Sequence, residues 1–205
     1  MLRSASYDIA LYDTEVRHEI VPYRGGRVYF TAGRVRRQGA ELGIALAGRS
    51  GLGARGALTL NRHRYIAYTV DSVHYGAPGR FADYRGNSVV GVPSIHYGGS
   101  VSYAPTSLPV RLEAGVTGVG RYYADDANAV EVPAHVLFDA RLAFDDPVAF
   151  GRGRGLRGFV SVHNLTGRHY IGSAFLNPDV VNGEAVAFEP GRPREVVVGV
   201  TVGAL

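Results

Sequence analysis

The sequence contains no cysteine, no lysine and no tryptophan. Without cysteine, neither a disulfide framework nor a thiolate metal site is possible. All 22 basic residues are therefore arginines, and they are spread along the whole chain. The net charge of +4 thus forms no basic stripe and does not indicate a nucleic-acid partner.

Long apolar runs are also missing. No run reaches the roughly 18 apolar residues that read as a transmembrane helix. The first residues, MLRSASYDIALYDTE, show neither the apolar core nor the small-residue cleavage site of a secretory signal peptide. The 205 residues are enough for one domain, and we treat residues 1–205 as a single unit.

What the sequence has instead is a two-residue alternation of apolar and polar side chains, which is typical of β-strands. No segment shows a convincing helical period. The pattern predicts eight strands, carried by the segments SASYDIALYD, AELGIALA, ARGALTLNRH, SIHYGGSVSY, VRLEAGVTG, HVLFDARLAF, RGFVSVHN and REVVVGVTV.

The connections between these segments alternate in length and are rich in Gly, Pro, Asp and Asn. Short connections are expected at 48–53, 104–109 and 145–155, and long ones at 21–31, 69–92 and 168–192. The connection at 123–131 is a short exception among the long ones. The sequence therefore predicts an all-β, antiparallel up-and-down sheet, of the kind that forms outer-membrane barrel walls.

Alternation alone does not separate a membrane barrel from a soluble β-sandwich, whose apolar face would point inward. Charges of both signs at mid-strand favour the barrel, in which the polar face lines the lumen. Aromatic side chains near strand ends, as in an interfacial girdle, favour it as well: Tyr7, Tyr12, Tyr65, Tyr97, Tyr103, Tyr122, Phe144 and Phe159. The polar residues predicted to face the lumen are Glu41, Arg55, His96, Arg111, Glu113, Asp139 and Arg141.

The segment YYADDANAVEVPAH, residues 122–135, has the residue types of a metal or acid/base site. A calcium loop needs spaced oxygen ligands and a closing acid. Here Asp125 and Asp126 are adjacent, and no glycine or bidentate glutamate follows at the required distance. Asp and Asn also make turns by bonding their own backbone, so we interpret this segment as a turn whose acids do no chemistry.

Other catalytic and metal patterns are missing from the sequence. The seven histidines show no HExxH spacing, and there is no G-x-S-x-G elbow between a strand and a helix. We therefore predict no catalytic residue, no metal site, no cofactor and no enzyme activity.

Several segments in order resemble the C-terminal part of TonB-dependent outer-membrane receptors of the siderophore type. They include RRQGAELGI, GNSVVGVP, VHNLTGRHY and PGRPREV, and with the flanking strands they cover nearly the whole chain. The resemblance implies part of a 22-stranded barrel wall in the outer membrane of a Gram-negative cell. It implies uptake of a ferric siderophore or similar chelate, driven by the TonB energy-transducing complex. No counterpart of the family's plug is present, so transport by this chain alone is not expected.

The same resemblance places the connections at 21–31, 69–92, 123–131 and 168–192 outside the cell. Arginine and aromatic side chains there suit an anionic iron chelate. They equally suit lipopolysaccharide phosphates or nearby acids. The predicted ligand-binding residues are Arg24, Arg27, Tyr75, Arg80, Tyr84, Arg85, Arg121 and Arg168. A free-standing eight-stranded barrel and a soluble β-sandwich binding module stay open as alternatives.

Overall fold

A computed structural model of the chain describes residues 2–71, 81–150 and 153–204. Its strands are, in chain order, β1 (Leu2–Tyr23), β2 (Val28–Gly48), β3 (Leu52–Ala67), β4 (Thr69–Asp71), β5 (Phe81–Asp83), β6 (Ile95–Tyr103), β7 (Arg111–Val119), β8 (Tyr122–Tyr123), β9 (Glu131–Val132), β10 (His135–Phe150), β11 (Arg154–His163), β12 (Ile171–Ala174), β13 (Val180–Val181), β14 (Glu184–Ala185), β15 (Phe188–Pro190) and β16 (Glu195–Ala204). Within the described ranges, the only helical element is a 3-10 turn over Arg24–Gly26.

Eight of these strands form one antiparallel sheet in the order β1-β2-β3-β6-β7-β10-β11-β16. The predicted fold class and the eight predicted strands are confirmed. The edge strands β1 and β16 are not paired with each other, so the sheet is an open wall. The described strands therefore form neither a closed eight-stranded barrel nor a two-sheet sandwich.

The register places apolar residues on one continuous face of this wall. Across β7, β10, β11 and β16, for example, Leu112 lies opposite Leu142, Leu142 opposite Val160, and Val160 opposite Val198. All of these side chains are exposed; Val198 is 63% accessible. Water would make such a face an aggregation surface, whereas lipid removes that cost.

Two connections, one at each end of the wall, are shorter than predicted. β10 continues to Phe150 and β11 begins at Arg154, so the expected connection at 145–155 shrinks to 151–153. The expected long connection at 21–31 is also wrong. β1 ends at Tyr23 and β2 begins at Val28, so only residues 24–27 join them. In both cases the strands extend into residues that the turn-forming Gly, Pro and Asp had assigned to the connection.

The other connections at the loop end carry structure of their own. The segment between β3 and β6 contains the pair β4–β5, and the segment between β7 and β10 contains β8–β9. The segment between β11 and β16 contains β12–β15 and β13–β14. These three segments and the short connection at 24–27 lie at the same end of the sheet, which we call the loop end.

The buried core lies at the loop end and not between two sheets. Its members are Val21, Tyr23, Ala32, Val35, Tyr65, Tyr68, Val70, Val89 and Val90. Tyr65, expected in an interfacial girdle, is fully buried there. Tyr12, expected in the same girdle, instead donates from Oη to Asn61 Oδ1 at 2.7 Å. Tyr7, Tyr103 and Phe144 do lie exposed on or beside the apolar face.

Candidate functional site

The polar face of the wall carries a ladder of cross-strand contacts. Arg55 donates from Nε to Ser100 Oγ at 2.9 Å, and its Nη2 lies 2.8 Å from Glu113 Oε1. Arg141 lies opposite Glu113 in the register and donates from Nη1 to Ser161 Oγ at 3.0 Å. Charges of both signs are thus matched within this face.

Phe159 interrupts the polar pattern of β11, and the structure gives the reason. The guanidinium carbon of Arg141 lies 3.8 Å above the centroid of its ring. An arginine over an aromatic face gains a cation–π attraction. A shallow cavity of about 750 Å³ extends over Arg55, Glu113, Arg141 and Phe159.

The register places the seven predicted lumen-facing residues on this one face. Glu41 lies opposite Thr59, Thr59 lies opposite His96, and His96 lies opposite Val119. Arg111 lies opposite Ala143, and the Asp139 carboxylate lies 3.5 Å from His163 Nδ1. That the face lines a lumen stays a prediction.

At the loop end, Asp126 is almost fully buried, with 1% of its surface exposed. Tyr65 Oη donates to its Oδ1 at 2.5 Å, and Tyr23 Oη donates to Oδ2 at 2.7 Å. Tyr68 Oη lies 3.1 Å from the same Oδ2 and 3.0 Å from Tyr23 Oη. A buried carboxylate is tolerated only when it is bonded in this way. The hydroxyl groups come from β1, from β3 and from the residue that follows β3.

Two amides join further segments to the same carboxylate residue. Asn177 accepts the Asp126 backbone N–H at 2.9 Å through Oδ1 and donates to the Pro22 carbonyl at 3.0 Å. Asn87 donates to the Asp126 carbonyl at 2.7 Å. The end of β1, the end of β3 and the three longer loop-end segments therefore meet at Asp126.

The DDAN segment forms the predicted turn, but the side chains of its two acids have different roles. Asp125 Oδ1 accepts the backbone N–H groups of Ala129 and Val130 at 2.9 and 2.7 Å, which is the predicted turn. The backbone of Asp126 lies in the same turn, but its side chain makes none of the turn's hydrogen bonds and is the buried acceptor described above. Burial raises the pKa of the Asp126 carboxyl above its usual 3.8, although the tyrosine hydroxyl groups act in the opposite direction.

A chamber of about 750 Å³ opens beside this cluster. All four loop-end segments contribute to its lining, which includes Arg24, Phe30, Val70, Tyr84, Asp125, Asp126, Asn177, Asp179 and Val180. Together with Tyr23, which also lines the chamber, these residues supply one guanidinium, two phenols and three carboxyl groups. The chamber is therefore not a basic pocket.

The predicted ligand-binding residues do not gather in one place. Arg24 and Tyr84 line the chamber. Arg24 Nε lies 3.1 Å from Asp179 Oδ1, and Arg27 forms an ion pair with the other oxygen of Asp179. These arginines tie the 24–27 turn to the β12–β15 segment.

The remaining predicted residues lie elsewhere. Arg85 pairs with Asp83 at 2.9 Å, and Arg121 lies 3.5 Å from Glu131. Arg168 lines a separate cavity of about 460 Å³ with His135 and Tyr170. Tyr75 and Arg80 fall outside the described residues. The role of this set in ligand binding stays a prediction.

Sequence reasoning missed the partners of Asp126. A signal was available, since Tyr65 falls on the polar side of its strand and an unpaired phenol there requires a partner. The sequence does not show which acid it meets, because the partners are 61 residues apart.

The ranges 2–71, 81–150 and 153–204 hold no cluster of three His, Asp or Glu side chains that could bind a metal ion. No helix within them is long and apolar enough to cross a membrane.

Comparisons with known proteins give a consistent result. Residues 2–165 match the family model described as TonB dependent receptor-like, beta-barrel. The ferrioxamine receptor of Yersinia enterocolitica is 27% identical over 172 residues, which are 82% of this chain and 22% of that protein.

Solved structures show the same fold. The siderophore receptor PiuA of Acinetobacter baumannii superposes with a TM-score of 0.70 at 20% identity, over 97% of this chain and 26% of that one. The ferric yersiniabactin uptake receptor FyuA of Yersinia pestis gives a TM-score of 0.69 at 19% identity, over 98% and 27%. The chain thus spans about a quarter of the length of the proteins it matches.

Proposed function

Because the chain belongs to the TonB-dependent receptor-like β-barrel family, we propose that it is part of an outer-membrane receptor for a ferric siderophore or similar iron chelate. A ferrioxamine receptor and two siderophore-type receptors among the similar proteins support this cargo class. Uptake belongs to a longer protein that works with the TonB complex. This chain contributes a section of wall and part of the outer cargo site.

The observation that carries the proposal is the chamber at the loop end. Its volume of about 750 Å³ lies within the range of roughly 300–1,000 Å³ that small-molecule sites occupy. The hydrogen bonds of the buried Asp126 cluster hold one side of the chamber in place before a ligand arrives. Preorganisation of this kind lowers the entropic cost of binding.

The chamber lining indicates which chelates it suits. Arg24 is already paired with Asp179, and Asp125 uses one carboxylate oxygen to hold its own turn. Phe30 and Val180 add apolar surface. This combination favours a chelate with a neutral metal core and apolar linkers, such as a ferric trihydroxamate, over a strongly anionic one such as ferric citrate.

In this proposal, the polar face of the wall lines the lumen of the barrel. Its arginines and acids neutralise one another across strands, as between Arg55 and Glu113. Such matched charges leave a hydrated surface without a strong field. We assign the wall no catalytic role.

Two matched variants test the chamber. Val180 lines it and is 67% exposed, whereas Val186 is 57% exposed in the same segment and is not among the chamber's lining residues. The chain is refolded in detergent, and binding of ferric ferrioxamine B is followed by quenching of tyrosine fluorescence. Val180→Asp brings a carboxylate that the ligand desolvates, so we expect about tenfold weaker binding. Val186→Asp leaves binding unchanged.

Ferric citrate, titrated in the same way, is expected to bind more weakly than ferric ferrioxamine B. Equal losses in the two variants would show that the chamber is not the cargo site. Tighter binding of ferric citrate would contradict the neutral-core assignment and favour the anionic chelate that the loop arginines predict.

A further inference from the structure

On β1, β2 and β3, the apolar face of the wall changes character toward the loop end. Successive rows across these strands are set by the register. They are Leu11–Ala40–Leu60, then Asp13–Gln38–Arg62, and then Glu15–Arg36–Arg64. The next pair is Arg17 opposite Arg34. An apolar row is thus followed at once, on the same face, by rows rich in arginine.

These arginines face one another. Arg36 lies directly opposite Arg64, and Arg17 lies directly opposite Arg34. Like charges placed opposite each other across a sheet are destabilising. Twice in one surface, the fold therefore accepts a cost that a nearby anion would remove.

The acids on the same surface neutralise only part of this charge. Arg36 takes Asp13, with Nε–Oδ1 at 2.9 Å and Nη2–Oδ2 at 2.5 Å. Arg17 and Arg34 share Glu15, each at 3.5 Å. The contact between Arg36 and Asp13 is close and bidentate. The contacts of Arg17 and Arg34 with Glu15 are loose, and they leave both guanidinium groups at least half-exposed.

Arg62 and Arg64 are the arginines left over. Both are exposed, and neither forms an ion pair with an acid among the described residues. Arg64 donates from Nη1 to the Gly86 carbonyl at 2.5 Å, which fixes its position without neutralising its charge. We call Arg34, Arg36, Arg62 and Arg64 the basic patch.

We propose that the basic patch binds the phosphate groups of an anionic lipid whose acyl chains lie on the apolar row beneath it. Leu11 and Leu60 stay exposed there, at 79% and 44% of their surface. Guanidinium groups bind phosphate oxygens through paired, charge-assisted hydrogen bonds. When a lipid phosphate binds the basic patch, the acyl chains of that lipid lie against the neighbouring apolar row. A free phosphate has no chains and would leave that row exposed.

The inference goes beyond the proposed cargo. It rests on the outward face of the wall, whereas the cargo chamber lies at the loop end. Because the basic patch adjoins the apolar row, the lipid must carry its phosphate close to its acyl chains. A zwitterionic lipid does not fit, because its cationic group would meet more arginine.

The test uses the 205-residue chain refolded in detergent and titrated with diphosphoryl lipid A, with binding read by native mass spectrometry. R62Q/R64Q removes the arginines that have no acid partner. R49Q/R154Q removes equal charge at the other end of the sheet, where both side chains are exposed. We expect about tenfold weaker lipid binding in the first variant and less than about twofold change in the second.

Two further arms separate the sources of phosphate. Pyrophosphate in excess should fail to displace lipid A, and phosphatidylcholine should not bind in its place. Displacement by pyrophosphate would overturn the lipid assignment, as would equal losses in the two arginine variants.

Thermal unfolding in detergent guards against a folding artefact. Without lipid, R62Q/R64Q should unfold at the same or a higher temperature than the wild type, because it relieves the Arg36–Arg64 opposition. Lipid A should raise the unfolding temperature of the wild type and not that of the variant. A variant that is less stable without lipid would contradict the repulsion on which the inference rests.

Discussion

The wall and the loop end of this chain are held together by different interactions. Within the wall, backbone ladders join neighbouring strands, and one face stays exposed over most of its length. At the loop end, side chains from β1, from β3 and from two connecting segments converge on the buried Asp126. The wall therefore depends on a repeated local pattern, whereas the loop end depends on a few specific long-range contacts. Single substitutions should separate the two regions.

The largest expected effect is at the loop end. In Asp126→Ala the hydroxyl groups of Tyr23, Tyr65 and Tyr68 lose their acceptor. Each buried group left unsatisfied costs about 1–3 kcal/mol, so the local loss is on the order of 3 kcal/mol or more. Hydrogen exchange should speed up around residues 84–90, 122–132 and 174–179, while the amides of β7 and β11 keep their protection.

Asp83→Ala is the control for that variant, since Asp83 is an exposed acid of the same end that pairs only locally with Arg85. It should leave exchange at 122–132 and 174–179 unchanged, and within 84–90 it should affect the Arg85 amide, whose N–H the Asp83 carboxylate accepts. If Asp126→Ala loosens the wall as much as the loop end, the two regions do not behave as separate units.

The second effect belongs to the wall. A Cβ on Gly118 would clash with the ring of Tyr97, which is paired with this glycine on the neighbouring strand. Gly118→Ala should therefore displace the ring and cost about 1–3 kcal/mol. Gly115→Ala, on the same strand, meets nothing closer than 3.8 Å and should change stability by less than about 0.5 kcal/mol. Thermal unfolding in detergent measures both, and equal midpoints would contradict the close packing at Gly118.

The third effect is a pH dependence confined to the loop end. Burial raises the folded-state pKa of Asp126 above 3.8. The contribution of this group is therefore full below 3.8 and is lost as the pH rises through the folded-state pKa. Acidification from neutral pH should strengthen loop-end protection, by at most about 1.4 kcal/mol per pH unit.

Exchange protection factors at several pH values, corrected for intrinsic rates, provide the measurement. Asp126→Asn should abolish the trend because it does not titrate. A loop end that loses protection on acidification, with the Asn variant unaffected, would reverse the assigned direction of the pKa shift.

The smallest effect concerns the ion pairs of Asp179. Asp179→Asn breaks the pairs with Arg24 and Arg27, whose side chains are each 63% exposed. Exposed pairs contribute about 0–1 kcal/mol and are screened by salt. Limited proteolysis of the β12–β15 segment should be slightly faster in the variant at low salt and equal to the wild type at high salt. A salt-independent difference would point to packing of Asp179 as the cause.

Much of the wall could be predicted from sequence because its signal is local. A period of two assigns every side chain of a strand to a face once one is assigned. Leu112, Leu142, Val160 and Val198 therefore fell on the correct face without any long-range information. Charges such as Arg55 and Glu113 were placed on the opposite face by the same argument.

The candidate site was less predictable, and Asp125 and Asp126 show why. Asp125 makes a local turn, and its partners Ala129 and Val130 lie within five residues. Asp126 has the same side chain and nearly the same sequence context. Its partner Tyr23 is 103 residues away, and no local rule selects it.

The sequence by itself determined the strands, their faces and the family, because alternation and ordered motifs are properties of neighbouring residues. Only the tertiary structure decided which connections are tight, that Tyr65 is buried, and that Asp126 joins the loop-end segments. It also decided that Arg36 lies opposite Arg64, on the same face of the wall as the apolar rows. These features depend on strand register and on the folding of the loop-end segments. Both bring together residues that are far apart in sequence, and no local pattern predicts those contacts.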